Sequence, residues 1–149
     1  MTQRFSLHNV DPDLYKHLGA LEGNIARNIE HSLHHLIKLR ASMINGCAFC
    51  IDMHSTDALK AGETTARLFG LGAWWETPLY TDREIAALRL TDAVTRLGEH
   101  GVPDEVYDAA RAELGDDISY IVAAIGMINL WNRLAITFQM TPASALASA

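Results

Sequence analysis

Two cysteines stand three positions apart in Cys47–Ala48–Phe49–Cys50, and His54 follows Cys50 by four. On a helix, residues three and four apart lie one above the other, so two thiols and an imidazole would share one stripe. Ala58 and Ala61 continue that stripe with small side chains, where a substrate or a partner thiol could approach. A free thiol with a pKa of about 8.5 is only a few per cent thiolate at neutral pH. A helix N-terminus contributes roughly 0.3–1 kcal/mol at an exposed site, less than the ~1.4 kcal/mol of one pKa unit. An imidazole that takes the proton, or pairs with the thiolate, does more, and His54 is placed to do so for Cys50. Asp57, three residues beyond His54, either orients the ring or is a solvated acid.

The spacing also constrains the backbone. Residues three apart in a regular helix have Cβ atoms roughly 5–6 Å apart, whereas a disulfide needs about 3.5–4.5 Å. A pair that cycles between dithiol and disulfide therefore needs a yielding segment at one end. Asn45–Gly46, directly before Cys47, provides it and places Cys47 at a helix start. Other readings of the same residues are a zinc site completed by His31, His34 or His35, two inert buried cysteines, and redox cysteines that do not use His54.

The elements that must position this stripe are helical throughout. Asp11–Pro12–Asp13 opens a helix to about Ile25, with proline at a tolerated early position. A second runs from about Ser32 to Ile44, with Leu33, Leu36, Ile37, Ala41 and Ile44 on one face. A third starts near Cys47 and ends at Ala61–Gly62. Glu63–Leu71 reads as a short helix, followed by a loop carrying Trp74 and Trp75. Thr81 and Glu84 form a capping box for a helix to about Leu97. Pro103–Asp104 starts another, ending near Gly115, and Asp116–Asp117 caps a long apolar helix from Ile118 to about Gln139. That last helix is expected in the core and in a subunit interface together. Arg40 falls in the apolar arc of its own helix, where a guanidinium must meet a carboxylate, lie in an interface or snorkel. Residues 140–149 are expected to form a frayed tail.

At 149 residues, 49% hydrophobic and 20% charged, the chain reads as one all-α domain over 1–149 that builds its core without staples. Its net charge of −6 and the lack of a basic cluster beyond Lys38–Leu39–Arg40 disfavour nucleic acid as a partner. The start lacks the apolar run of a signal peptide, and no uninterrupted 18-residue apolar run follows, so a cytoplasmic protein without membrane partners is expected. In a reducing compartment a close cysteine pair is more often catalytic or metal-binding than a staple.

The segment from Leu36 to His54, Leu-Ile-Lys-Leu-Arg-Ala-Ser-Met-Ile-Asn-Gly-Cys-Ala-Phe-Cys-Ile-Asp-Met-His, closely resembles the core motif of the AhpD-like alkylhydroperoxidases, within the carboxymuconolactone decarboxylase superfamily. Ala61–Gly62–Glu63, Trp74 with Glu76–Thr77–Pro78, and Ile128–Asn129 with Trp131–Asn132–Arg133–Leu134 resemble later signatures of the same family, so the likeness spans about 15–139. It implies an AhpD-like helical bundle oligomerising through its helices, as a homo-trimer or homo-hexamer. It further implies a peroxidase cycle on a small peroxide, in which Cys50 attacks, Cys47 resolves, His54 belongs to a proton relay, and a thioredoxin-like or dihydrolipoyl-type thiol resets the pair without a cofactor. Two positions depart from the pattern. The family's relay glutamate, twelve residues before the first cysteine, is His35 here, and the histidine preceding the second cysteine is Phe49. His35 is then either a substitute relay group or, with His31 and His34, a solvated flank. A lyase or lactone-processing activity, also represented in the superfamily, and a metal-binding module remain the competing functions.

Overall fold

The computed structural model describes residues 3–147, and among these the fold is all-α with only an isolated bridge between Gly98 and Gly101. Nine α-helices follow in order: α1 (Leu7–Val10), α2 (Pro12–Ala26), α3 (His31–Asn45), α4 (Ala48–Lys60), α5 (Thr65–Gly70), α6 (Asp82–Thr95), α7 (Asp104–Leu114), α8 (Ile118–Thr137) and α9 (Ala143–Ala147). The Asp11 side chain caps α2 by accepting from the Leu14 N–H, with Pro12 at the first helical position. Thr81 and Glu84 make both bonds of the capping box at α6.

Three details differ from the sequence reading. Trp74 and Trp75 sit on a 3-10 helix, Leu71–Glu76, rather than in an open loop, and Trp74 is pulled into the core with Leu71. Asp117 gives α8 no side-chain cap; it accepts from Arg83 instead, while Asp116 accepts from Arg111. The stretch after 139 is not wholly a frayed tail, because α9 returns to α4, where the Ser144 N–H donates to Asp52 Oδ2 at 3.2 Å. The end of that predicted tail, residues 148–149, lies outside the described residues.

The most enclosed helix is α3, not α8. Leu33, Ile37 and their partners on α6, α7 and α8 form one core, and Leu36 and Leu39 pack into a second with Ala58, Leu68, Leu71, Trp74 and Leu88. Because apolar neighbours lie on both sides of α3, its polar residues are buried as well: His34, Lys38, Arg40 and Ser42. Burying such groups is tolerable only when they are partnered. Arg40 meets Asp92 in a two-pronged pair, Nε to Oδ1 at 2.6 Å and Nη2 to Oδ2 at 2.7 Å, and donates to the Leu71 carbonyl at 3.0 Å. The carboxylate in the core is thus the arrangement realised, and it pins α3 to α6.

Helix α8 buries Ile118, Ile121, Ile125 and Ile128 and leaves Tyr120, Val122, Leu130 and Ile136 exposed. By length and average hydropathy, 1.2 over an 18-residue window, the helical run Asp104–Thr137 could cross a membrane, as buried helices of folded domains also can.

Candidate thiol site

Helix α3 ends because Gly46 adopts a left-handed conformation, φ 68°, which glycine reaches without steric cost. The turn is closed by the Gly46 N–H to the Met43 carbonyl and the Cys47 N–H to the Ser42 carbonyl. Cys47 is then extended and becomes the N-cap of α4, its sulfur accepting the Cys50 N–H at 3.3 Å. A non-helical residue at one end of the pair is what lets sulfurs three residues apart meet. Cys47 and Cys50 are joined as a disulfide, with Cα atoms 5.3 Å apart. Both are buried, packed against Ala135 of α8 with Phe49 and Met140 around them.

The two cysteines do not face the same surroundings. Cys50 and His54 line a cavity of about 370 Å³, and Cys47 does not. Its wall is largely apolar and aromatic, from Phe5, Tyr15, Phe49, Met53, Trp131 and Phe138. The segment before α1 closes one side, with the Arg4 N–H donating to the Phe138 carbonyl at 2.8 Å and the Phe5 and Phe138 rings 4.7 Å apart.

The cavity also contains two charged residues that the sequence did not single out for the site, Glu22 from α2 and Lys38 from α3. Lys38 Nζ donates to Glu22 Oε1 at 2.5 Å, and Trp131 Nε1 donates to Glu22 Oε2 at 3.2 Å. His34 Nε2 lies 3.4 Å from Glu22 Oε1, without hydrogen-bond geometry. Burial pushes the Glu22 carboxyl up, but His34 and Lys38 outweigh it and hold the group at about 2. Lys38 stands in the sequence between Ile37 and Leu39, and nothing local points from it to Glu22 sixteen residues earlier.

His54 is buried, and burial together with the positive charge of Lys38 pushes its pKa down to about 3, against the opposing pull of Glu22. In the disulfide state the ring is therefore neutral, with one N–H and one lone pair to offer. Asp57 does not orient it; that carboxylate lies on the surface, 4.0 Å from Lys60. His35 lies away from the cysteines' cavity. It lines a separate one of about 310 Å³ with His31, Ala58, Ala61, Glu63 and Arg67, its Nε2 3.2 Å from His31 Nε2. Burial is the main reason its pKa is lowered. His34 is buried rather than on a solvated flank. Among the described residues no group of three or more histidine, cysteine and carboxylate side chains is placed to hold a metal ion.

Residues 12–93 match the carboxymuconolactone decarboxylase family. The chain belongs to this family. Within it, the chain is similar to the uncharacterized protein YdfG of Bacillus subtilis, 41% identical over 147 residues that cover 97% of this chain and 99% of that protein. It is also similar to a solved protein of unknown function from Agrobacterium tumefaciens with a proposed AhpD antioxidant-defence role, at 40% identity and a TM-score of 0.90, covering 95% of this chain and 98% of that one. The debrominase Bmp8 shares the fold, with a TM-score of 0.81 over 93% of this chain and 75% of that one, at 20% identity. The carboxymuconolactone decarboxylase fold thus carries more than one chemistry, and the residues at the thiol cavity must decide among them.

Proposed function

We propose that this protein is a thiol-dependent peroxidase of the AhpD-like kind, or a disulfide oxidoreductase built on the same centre. The observation that carries the reading is the division of labour at the pair: Cys50 shares a cavity with His54, while Cys47 stands outside that cavity within bonding distance of Cys50. The ionised Cys50 sulfur attacks one oxygen of a hydroperoxide; an S–O bond forms and the O–O bond breaks. The departing alkoxide takes a proton, for which the neutral His54 ring in the same cavity is the relay, and leaves as an alcohol. Cys47 then attacks the Cys50 sulfur, forming the disulfide and releasing the sulfenic oxygen as water. An external dithiol, thioredoxin-like or dihydrolipoyl-type, takes up the oxidation and returns both thiols. In this reading the exposed apolar residues of α8, Val122, Leu130 and Ile136 among them, belong to the surface through which a homo-trimer or homo-hexamer forms.

The test is stoichiometric. Fully reduced protein is given one equivalent of an alkyl hydroperoxide, then followed by intact mass and free-thiol titration. Loss of both thiols without a mass gain beyond the disulfide is expected, with Cys47→Ser accumulating one added oxygen on Cys50. Persistence of both thiols, or turnover unchanged in Cys50→Ser, defeats the proposal. Activity on a lactone that survives loss of both cysteines would favour a lyase instead.

A further inference from the structure

A buried ion pair is weak evidence of a stabilising role, because the desolvation of two charges often cancels their attraction. Lys38 and Glu22 nonetheless line a cavity whose other walls are mostly apolar, and they do so beside Cys50 and His54. Both Glu22 oxygens are engaged, one by Lys38 and the other by Trp131. The Lys38 ammonium has three N–H donors, and among the described residues its side chain is bonded only to Glu22. Its remaining donors are free for a group in the cavity.

We propose that Lys38 is the cation that stabilises the Cys50 thiolate, and that Glu22 is the positioning residue that holds the ammonium at the cavity wall. The charged half of the thiol centre is then supplied by α2 and α3. The inference rests on the thiol chemistry proposed above for Cys50. The titratable and charged groups around the centre are Tyr15 and Glu22 from α2, Lys38 and His34 from α3, His54 from α4, and His8 from α1. His35 adds its field from the neighbouring cavity, and α8 contributes Trp131 but no charge to the wall.

The experiment isolates Cys50 in reduced Cys47→Ser protein and follows its alkylation by iodoacetamide against pH, by intact mass. Adding Lys38→Met is expected to raise the midpoint by about one pH unit or more, slowing alkylation at neutral pH roughly tenfold. Lys38→Arg, which keeps the charge, should bring the midpoint most of the way back. Lys38→Met alone leaves the Glu22 carboxylate buried without its cation, so Glu22→Gln with Lys38→Met provides a neutral cavity in a protein more certain to fold. A raised midpoint is expected there too, with cooperative thermal unfolding retained. An unchanged midpoint in either folded variant overturns the proposal, as does a Lys38→Arg midpoint equal to that of Lys38→Met. Wild-type protein that consumes peroxide while the midpoint stays fixed removes this inference alone. A midpoint that moves in a protein without peroxide turnover removes the peroxidase reading and leaves Lys38 as the thiol's charge partner.

Discussion

The Asn45 side-chain amide donates to Asn132 Oδ1 at 2.9 Å and to Asn129 Oδ1 at 3.0 Å, fastening the residue two before Cys47 to α8. Asn132 is fully buried and in turn donates to Ser42 Oγ at 3.0 Å. Truncating it takes one acceptor from the half-buried Asn45 amide and the donor from the buried Ser42 oxygen. Asn132→Ala should cost about 1–3 kcal/mol and should also change the reduction potential of the cysteine pair, since the turn that sets Cys47 loses its anchor. Denaturant unfolding and redox titration against glutathione check the two parts separately.

Arg40 is nearly inaccessible and bound to Asp92 and to backbone carbonyls across the α3–α6 contact. Arg40→Met should destabilise the protein by about 3–5 kcal/mol, because Asp92 then loses its buried partner. Arg40→Lys keeps the charge but not the two-pronged geometry, and should recover only part of the loss. Chemical denaturation of the three proteins under one condition measures this.

Stability should fall with acid in two stages. The His54 value is lowered from 6.5 to about 3 on folding, so the unfolded chain takes up this proton first. Its contribution is complete above pH 6.5 and is lost as pH falls toward 3, a change on the order of 2–4 kcal/mol. His35, also lowered, adds in the same direction. Glu22, lowered from 4.5 to about 2, adds a second loss below pH 4.5. Denaturant midpoints across this range should show both limbs, and His54→Gln should flatten the upper one whatever its effect on stability at neutral pH.

Phe5 and Phe138 close one side of the thiol cavity. In reduced protein, Phe5→Ala should speed alkylation of Cys50 several-fold while leaving its pH midpoint in place, because access changes and charge does not. Bulky maleimides should gain more than iodoacetamide. A shift in midpoint instead would place the segment before α1 in the electrostatics of the site.

Much of the helical frame could be read directly, since its signals are local. Pro12, the Thr81–Glu84 box and Gly46 each act within a few residues of the turn they make. The cysteine–histidine stripe was legible for the same reason, as helical spacing alone aligns Cys50 with His54. Legibility failed where a distant partner competed. Asp117 has a cap-forming side chain but spends it on Arg83, thirty-four residues away in sequence. Trp74 is drawn into the core formed with Leu36 and Leu39, which tightens a predicted loop into a 3-10 helix.

The sequence by itself determined an all-helical chain, the place of each thiol at the start of a helix, and membership of a family built around that motif. Only the tertiary structure decided what surrounds the thiols. His35 and Asp57 are near in sequence yet face a separate cavity and the surface, while Lys38 and Trp131, far apart along the chain, meet at Glu22 in the cavity that Cys50 lines. The physical reason is that spacing along a helix fixes contacts only within that helix. Which charges share a cavity follows from how α2, α3, α4 and α8 bury their apolar faces against one another, and that is settled by long-range packing.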